Sequence, residues 1–222
     1  MLTVLLTRHG ETDRSRPEQY LGQRLEAHLT EAGIQAARTL GQRLDGVSIV
    51  RVLSSPSDRA VETARLVCPG AEVETDERLL EGDYGDWEGH TVEQIEAGWP
   101  EERRAWVLDP ADVAIPGGES GDDVARRVRA LLDELVAWEA ALSQPDIDSM
   151  VLLVGHSTTN RVLLCISLGV PVRDYRTAFR QSWANLTVLR FDPADGPGAQ
   201  LMLANDVSHL HGGGSSGITW EG

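Results

Sequence analysis

The sequence begins with a short apolar run that ends abruptly in charged residues. Leu2–Leu6 consists almost entirely of large aliphatic side chains, which predicts a buried strand. Arg8–Glu11 follows at once, and because unpaired ionisable groups are costly to bury, these side chains must lie at an edge or in a cleft. In open α/β sheets the cleft lies at the carboxyl ends of the strands. This stretch alone is compatible with a ligand site and equally with a surface strand end that turns at Gly10.

Two later strands are predicted to end in the same way. Each is an apolar run followed by polar residues and then by a helical pattern. Pro56 suits the first turn of a helix, so Arg59 is expected near the start of one, and His156 comes just after the other strand. The predicted segments are the strand Val47–Leu53, the helix from Pro56 to about Cys68, the strand Met150–Val154 and the helix from about Thr159 to Leu168.

Strands alternate with helices along most of the chain, which predicts a mainly parallel sheet with helices on both faces. Thr30 is the predicted N-cap of one helix, and the longest helical pattern runs from Ser120 to about Ser143. The last two predicted strands, Leu186–Phe191 and Ala199–Ala204, are close in sequence and are expected to pair antiparallel. The predicted fold is therefore an α/β three-layer sandwich with a mainly parallel central sheet and an antiparallel edge strand.

The length of the chain, 222 residues, suits one domain with a large core. We expect this domain to occupy residues 1–211 and to carry a cap-like insertion at about 91–116. The insertion contains two predicted short helices, Thr91–Gly98 and Glu101–Leu108. Residues 212–222 are mostly Gly and Ser and are expected to form a flexible tail.

Composition limits the partners of this chain. Its net charge is −15, whereas a nucleic-acid-binding surface needs a basic face, so we expect no nucleic acid partner. No apolar run approaches the roughly 18 residues of a membrane span, and the start resembles no signal peptide, which predicts a cytoplasmic protein. Cys68 and Cys165 fit no metal-ligand pattern and are expected to be reduced thiols. All 20 basic residues are Arg, so an anion site must use guanidinium groups or His.

The polar ends of the three strands together suggest a site for a tetrahedral dianion. Arg8 and Arg59 could bind phosphate through their planar guanidinium groups, and helix N-termini would add backbone donors. A neutral imidazole of His9 or His156 is a competent nucleophile toward phosphorus. A carboxylic acid could protonate the leaving oxygen. The glycine-rich loop Leu79–Gly89 offers Glu81 or Asp83 for that role.

Six motifs follow one another along the chain in an order that is typical of one family. They are Arg8–Thr12; Leu29–Gly33 with Gln35-Ala36; Ser54–Pro56 with Arg59-Ala60 and Thr63-Ala64; Leu80-Glu81 with Tyr84-Gly85 and Trp87–Gly89; Gly117–Ser120; and Val154–His156. With these motifs the chain, from Leu2 to about Leu210, resembles the histidine phosphatase superfamily, the phosphoglycerate-mutase-like proteins.

The resemblance implies a role for each matching residue. His9 would be the nucleophile that becomes phosphohistidine, and Glu81 the proton donor to the leaving group. Arg8, Arg59 and His156 would form the phosphate pocket. Because phosphoryl transfer needs mainly positioning and charge neutralisation, this set is chemically sufficient without a metal or another cofactor.

Some positions depart from the family pattern. Ser15 stands where many members carry an Asn that touches the phosphate, and Gln23 is a candidate to supply that contact. Ser157 follows His156 where Gly is frequent, and it is a further candidate for the substrate rim.

The sequence is compatible with three functions. The first is a metal-independent phosphatase acting on a small phosphorylated metabolite, such as a sugar phosphate or a phosphoglycerate-type compound. The second is a mutase that uses the same pocket, although the short segment Thr91–Pro116 favours the phosphatase. The third is a non-catalytic phosphate-binding or scaffold protein, which the joint presence of His9, Glu81 and His156 argues against. The sequence leaves the oligomeric state open, a homodimer included.

Overall fold

A computed structural model describes residues 1–142, 149–192 and 198–211 of the chain. Within these residues the polypeptide forms one six-stranded sheet surrounded by helices. The strands are β1 (Leu2–Arg8), β2 (Ile49–Ser54), β3 (Val73–Thr75), β4 (Ser149–Gly155), β5 (Leu186–Phe191) and β6 (Gln200–Asp206). The helices are α1 (Glu31–Arg43), α2 (Asp58–Val67), α3 (Val92–Gly98), α4 (Pro100–Leu108), α5 (Gly121–Ala140), α6 (Ser157–Leu168) and α7 (Tyr175–Ala178).

The order of the strands across the sheet is β3-β2-β4-β1-β5-β6. Neighbours from β3 to β1 are parallel, whereas β5 is antiparallel to both β1 and β6. The predicted mainly parallel sheet with an antiparallel edge is thus confirmed. Because β1 and β4 pair in parallel along their whole length, their carboxyl ends at Arg8 and Gly155 lie side by side.

Alternate residues of the central strands point to two separate cores. In β1, Leu2, Val4 and Leu6 pack on the face that α5 and α6 cover, whereas Leu5 packs on the face of α1 and α2. A strand that buries both faces needs a nearly continuous apolar run, and Leu2–Leu6 has one. The predicted coverage of the sheet by helices on both faces is confirmed.

One helix begins later than the sequence predicts, and another begins earlier. The helix after β2 begins at Asp58, not at Pro56, because the Ser57 N–H donates to Ser55 Oγ (3.3 Å) and keeps the preceding residues in a turn. Arg59 nevertheless lies in the first helical turn, as predicted. The helix after β4 begins at Ser157, not at Thr159, because the N–H groups of Thr158 and Thr159 in its first turn donate hydrogen bonds to the side chain of Glu81.

The loop after β1 packs directly on α1. A Cβ on Gly33 would lie 2.2 Å from the Glu11 carbonyl oxygen, and one on Gly10 would lie 2.7 Å from the Gly33 carbonyl oxygen. Real Cβ atoms do not approach other atoms so closely, so both positions require Gly. The Thr30 side chain accepts a hydrogen bond from the Gly33 N–H (3.1 Å) and caps the same helix, as predicted. The loop that carries His9 is therefore fixed against a helix.

The two predicted cap helices are present as α3 and α4. Trp106 of α4 is buried and packs edge-on against Trp87, with ring centroids 5.4 Å apart, whereas Trp99 packs against His90. The predicted tail, residues 212–222, lies outside the described residues. In the ranges that are described, no helix is both long and apolar enough to cross a membrane.

Candidate active site

A cavity of about 220 Å³ opens at the carboxyl ends of β1 and β4. Polar groups and aromatic rings line most of it. The predicted site residues that line the cavity are Arg8, His9, Ser15, Glu81 and Ser157.

His9 follows β1 directly and is held in one orientation. Its backbone N–H donates to the Gly155 carbonyl (3.0 Å) at the end of β4. Its ring Nδ1 lies 2.7 Å from the Gly10 carbonyl, an acceptor, so Nδ1 carries the proton. Nε2 of the neutral ring then keeps its lone pair, and the side chain is only 5% exposed. His9 is therefore oriented as a nucleophile.

His156 lies directly behind His9. The two ring centroids are 5.1 Å apart with the planes inclined by 60°. His156 Nε2 lies 2.8 Å from Ser55 Oγ, while Nδ1 is buried and has no hydrogen-bond partner among the described residues. The ring is fully buried and does not line the cavity itself.

Two guanidinium groups flank the imidazoles. Arg8 donates through Nη1 to the Gln181 carbonyl (3.0 Å) and lies 5.2 Å from the Trp183 ring centroid. Arg59 is buried and donates through Nη2 to the Gly22 carbonyl (2.8 Å). The Nε atoms of both residues are buried without a partner in the described part of the chain, and burial lowers the pKa of both side chains. In the described part of the chain neither guanidinium group forms an ion pair, and charge that is shielded from water without a partner is costly, so this arrangement favours binding of an anion.

Burial and positive neighbours act on both imidazoles. Desolvation, followed by the charges of Arg8 and Arg59, holds the pKa of His9 well below its usual value. Desolvation and then the charge of Arg59 do the same for His156. Both rings are therefore neutral at pH 7, which is the state a nucleophile requires.

This depression predicts a loss of stability in mild acid. In the unfolded chain each histidine binds a proton near pH 6.5, so below that pH the unfolded state holds more protons than the folded one. The contribution of these neutral histidines to the free energy of unfolding is fully present above pH 6.5. It is lost as the pH drops, by up to about 1.4 kcal/mol per pH unit for each buried ring. The free energy of unfolding by urea between pH 7 and 5 should fall less steeply in His156→Gln than in wild type. The exposed His28 provides the control, and an equal slope in His156→Gln and His28→Ala would contradict the expectation.

Glu81 connects the glycine-rich loop to the start of α6. Its Oε1 accepts from the N–H groups of Gly82 (2.9 Å) and Thr159 (3.1 Å), and Oε2 accepts from the Thr158 N–H (3.1 Å). The oxygens of a carboxyl group at a helix N-terminus satisfy donors that the helix leaves free. The side chain is buried yet lines the cavity, whereas the alternative acid Asp83 does not and instead pairs with Arg24 (3.0 Å).

The three predicted rim residues differ in position. Ser15 lines the cavity, but its Oγ accepts from the Thr12 N–H (3.0 Å). Ser157 lines the cavity as the first residue of α6. Gln23 lies outside the lining and donates through Nε2 to the Glu81 carbonyl (2.8 Å). The phosphate contacts proposed for these residues stay predictions, and Gln23 is turned toward the backbone of the proposed acid.

Sequence reasoning missed the residue that shapes the loop of residues 22–25. Glu88 Oε1 accepts from the N–H groups of Gly22 (3.1 Å), Arg24 (2.8 Å) and Leu25 (2.8 Å). The same loop presents the Gly22 carbonyl to Arg59. Glu88 belongs to a motif that the sequence displays, Trp87–Gly89, but only the fold shows which loop it organises.

Arg161, Tyr84 and Trp183 were also missed, although all three line the cavity. Tyr84 is partly buried, its Oη lies 2.8 Å from Thr158 Oγ1, and desolvation followed by the charge of Glu81 raises the pKa of its hydroxyl. Arg161 lies four residues after Ser157, and because α6 begins at Ser157, both side chains lie on the face of the helix that lines the cavity. The two cysteines are free, as predicted, and burial raises the pKa of each thiol to about 11.

Comparison with known proteins gives consistent matches. A profile of the histidine phosphatase superfamily (branch 1) matches residues 4–205. The Probable phosphoglycerate mutase GpmB of Erwinia tasmaniensis is 34% identical over 216 residues, which cover 95% of each protein. Phosphoserine phosphatase 1 of Hydrogenobacter thermophilus is 30% identical over 177 residues, or 79% of this chain and 80% of that protein. A mycobacterial glucosyl-3-phosphoglycerate phosphatase solved with VO3 is 33% identical, with a TM-score of 0.78, and the match covers 91% of this chain and 98% of that one.

Proposed function

The chain belongs to branch 1 of the histidine phosphatase superfamily, and from this premise we propose that it hydrolyses a small phosphate monoester through a phosphohistidine on His9. The observation that carries the proposal is the hydrogen bond from His9 Nδ1 to the Gly10 carbonyl, which leaves Nε2 with its lone pair. Two guanidinium groups, those of Arg8 and Arg59, have a buried Nε without a partner in the described residues and support the proposal as donors to the phosphate.

In the first step His9 Nε2 forms a bond to phosphorus while the bond from phosphorus to the ester oxygen breaks. Glu81 gives its proton to that oxygen, and the alcohol leaves. Arg8, Arg59 and His156 neutralise the charge on the other phosphoryl oxygens, which is the main requirement of such a transfer.

In the second step water attacks the phosphohistidine. Glu81, now a carboxylate, accepts a proton from the water as its oxygen bonds to phosphorus. The bond from phosphorus to Nε2 breaks and returns the lone pair to His9, so inorganic phosphate and free enzyme result. A cytoplasmic location and a homodimer also stay predictions.

A mutase is the second candidate, and one observation favours it: a 34% identical relative is named as a probable phosphoglycerate mutase. A mutase would use the same first step and then return the phosphoryl group to another oxygen of the substrate. The short cap, α3 and α4, supports the phosphatase, because less protein encloses the intermediate.

Counting phosphate separates the two functions. With 3-phosphoglycerate as the probe, we expect one inorganic phosphate and one glycerate for each substrate consumed, because water takes the phosphoryl group. Phosphate release and the ³¹P spectrum of the same sample give both quantities. An isomeric monophosphate formed with little inorganic phosphate would contradict hydrolysis and support the mutase. If this compound is not consumed, p-nitrophenyl phosphate tests hydrolysis alone.

A further inference from the structure

The cavity holds more positive charge than one phosphate needs. Arg8 lines it and Arg59 lies behind it, and these two suffice for a dianion. Three further arginines, Arg14, Arg161 and Arg176, also line the cavity, and of these Arg14 donates to the Glu26 carbonyl (2.9 Å) and to Gln19 Oε1 (3.4 Å). The acidic residues of the lining are Glu18, which is exposed at the entrance, and Glu81, which the start of α6 holds. In a chain of net charge −15, such a local excess of guanidinium groups creates a positive potential that favours binding of an anion.

Arg161 has no partner of its own in the described structure. Its side chain makes no hydrogen bond and no ion pair there, and its Nε is buried. Burial is the main cause of the lowered pKa of Arg8; among the neighbouring charges Glu81 and Glu18 raise this pKa, whereas Arg161 lowers it, as expected for two guanidinium groups that repel each other. A buried donor without an acceptor costs free energy comparable to a lost hydrogen bond, and a bound anion would remove that cost.

The wall around Arg161 adds further donors and aromatic rings. Tyr175 is buried, and burial raises the pKa of its hydroxyl, so the hydroxyl keeps its proton and can donate. Arg176 lies 4.3 Å from the centroid of the Trp106 ring, which fixes its guanidinium plane at the cavity. A guanidinium group has five N–H donors and no acceptor, so an anionic ligand group satisfies it better than a neutral hydroxyl does.

The size of the cavity limits what the second anion can be. At about 220 Å³ it lies below the range of about 300 to 1,000 Å³ that is usual for drug-sized ligands. A nucleotide is therefore disfavoured. A carboxylate is smaller than a second phosphate group, and one planar guanidinium matches one carboxylate through two parallel hydrogen bonds.

Resting on the proposed function, we propose that the substrate is a short-chain phosphate monoester that also bears a carboxylate, and that Arg161 binds this carboxylate. His9 and its neighbours hold the phosphate end, and Arg161 on α6 holds the other end. Arg161 thereby acts as a specificity-determining residue for the reaction.

A matched pair of phosphonates tests the proposal independently of catalysis. 3-Phosphonopropanoate and propylphosphonate differ only in a carboxylate in place of a methyl group, and neither contains a P–O ester bond to hydrolyse. Calorimetric titration of wild type should give a Kd for the carboxylated compound that is lower by about tenfold or more, as expected for a hydrogen-bonded ion pair. In Arg161→Met the ratio of the two Kd values should fall close to one.

Arg104→Met is the matched control, because Arg104 is an exposed arginine of α4 outside the cavity lining, and it should keep the wild-type ratio. Arg161→Lys keeps the charge without the planar group and should give an intermediate ratio even if the Met variant is poorly folded. A wild-type ratio near one would overturn the proposal without any variant. Turnover of p-nitrophenyl phosphate by wild type reports on the proposed function separately, so the two ideas can fail independently.

Discussion

His9→Ala is expected to reduce phosphatase turnover by about 10⁴-fold or more, the scale on which removal of a covalent nucleophile acts. The variant loses Nε2, the atom that forms the bond to phosphorus, and no other described side chain is oriented in the same way. His156 does not replace it, because its Nε2 is engaged by Ser55 (2.8 Å) and the ring lies behind the cavity wall. The measurement is kcat with p-nitrophenyl phosphate at pH 7.

The control is His28→Ala, because the His28 side chain is exposed and lies outside the cavity lining. It should keep wild-type turnover. A second readout follows the chemistry directly: wild type quenched during turnover of ³²P-labelled substrate should carry an acid-labile, base-stable label, and His9→Ala should carry none. If the Ala variant turned over at an undiminished rate, or the label persisted, the nucleophile would not be His9.

The central part of the fold could be predicted because its signals are local. The apolar run Leu2–Leu6 specifies a strand that is buried on both faces, and the β1 strand covers it. Strand ends in a parallel sheet meet at one edge, so the approach of His9 to His156 followed from the order of elements alone. Nothing in that reasoning required a long-range contact to be known.

The finer arrangement of the site depends on contacts between distant segments. The predicted cluster of Arg8, His9, Arg59 and His156 does form, but Arg59 and His156 lie behind the cavity wall. The loop that covers Arg59 is shaped by three backbone hydrogen bonds to Glu88 Oε1, more than 60 residues away in sequence. Sequence patterns give no measure of such a contact.

Arg161 was missed for a related reason. The predicted helix started at Thr159, whereas α6 starts at Ser157, because Glu81 accepts hydrogen bonds from the N–H groups of its first turn. A helix start that a distant side chain stabilises is not visible in the local sequence. Its position decides which residues of α6 face the cavity.

Glu81→Gln is expected to slow the hydrolysis of alkyl phosphates by about 10² to 10⁴-fold, the range of general acid catalysis. An alkoxide is a poor leaving group and needs the proton, whereas p-nitrophenolate leaves without one. The loss with p-nitrophenyl phosphate should therefore be much smaller in the first step. The amide retains one acceptor oxygen for the N–H groups of Thr158 and Thr159 but cannot release a proton.

The comparison that decides the role of Glu81 is the ratio of the two losses. Values of kcat/KM for glycerol 3-phosphate and p-nitrophenyl phosphate should be measured in wild type, Glu81→Gln and Glu96→Gln, the last an exposed glutamate of α3. Because kcat/KM reports the steps up to the first irreversible one, it isolates transfer to His9 from the later attack by water, for which Glu81 is also the proposed base. A purely structural role in capping α6 would lower both values alike. An equal loss would therefore leave Glu81 as a cap and move the acid to another group, whereas a selective loss for the alkyl ester identifies Glu81 as the group that protonates the leaving oxygen.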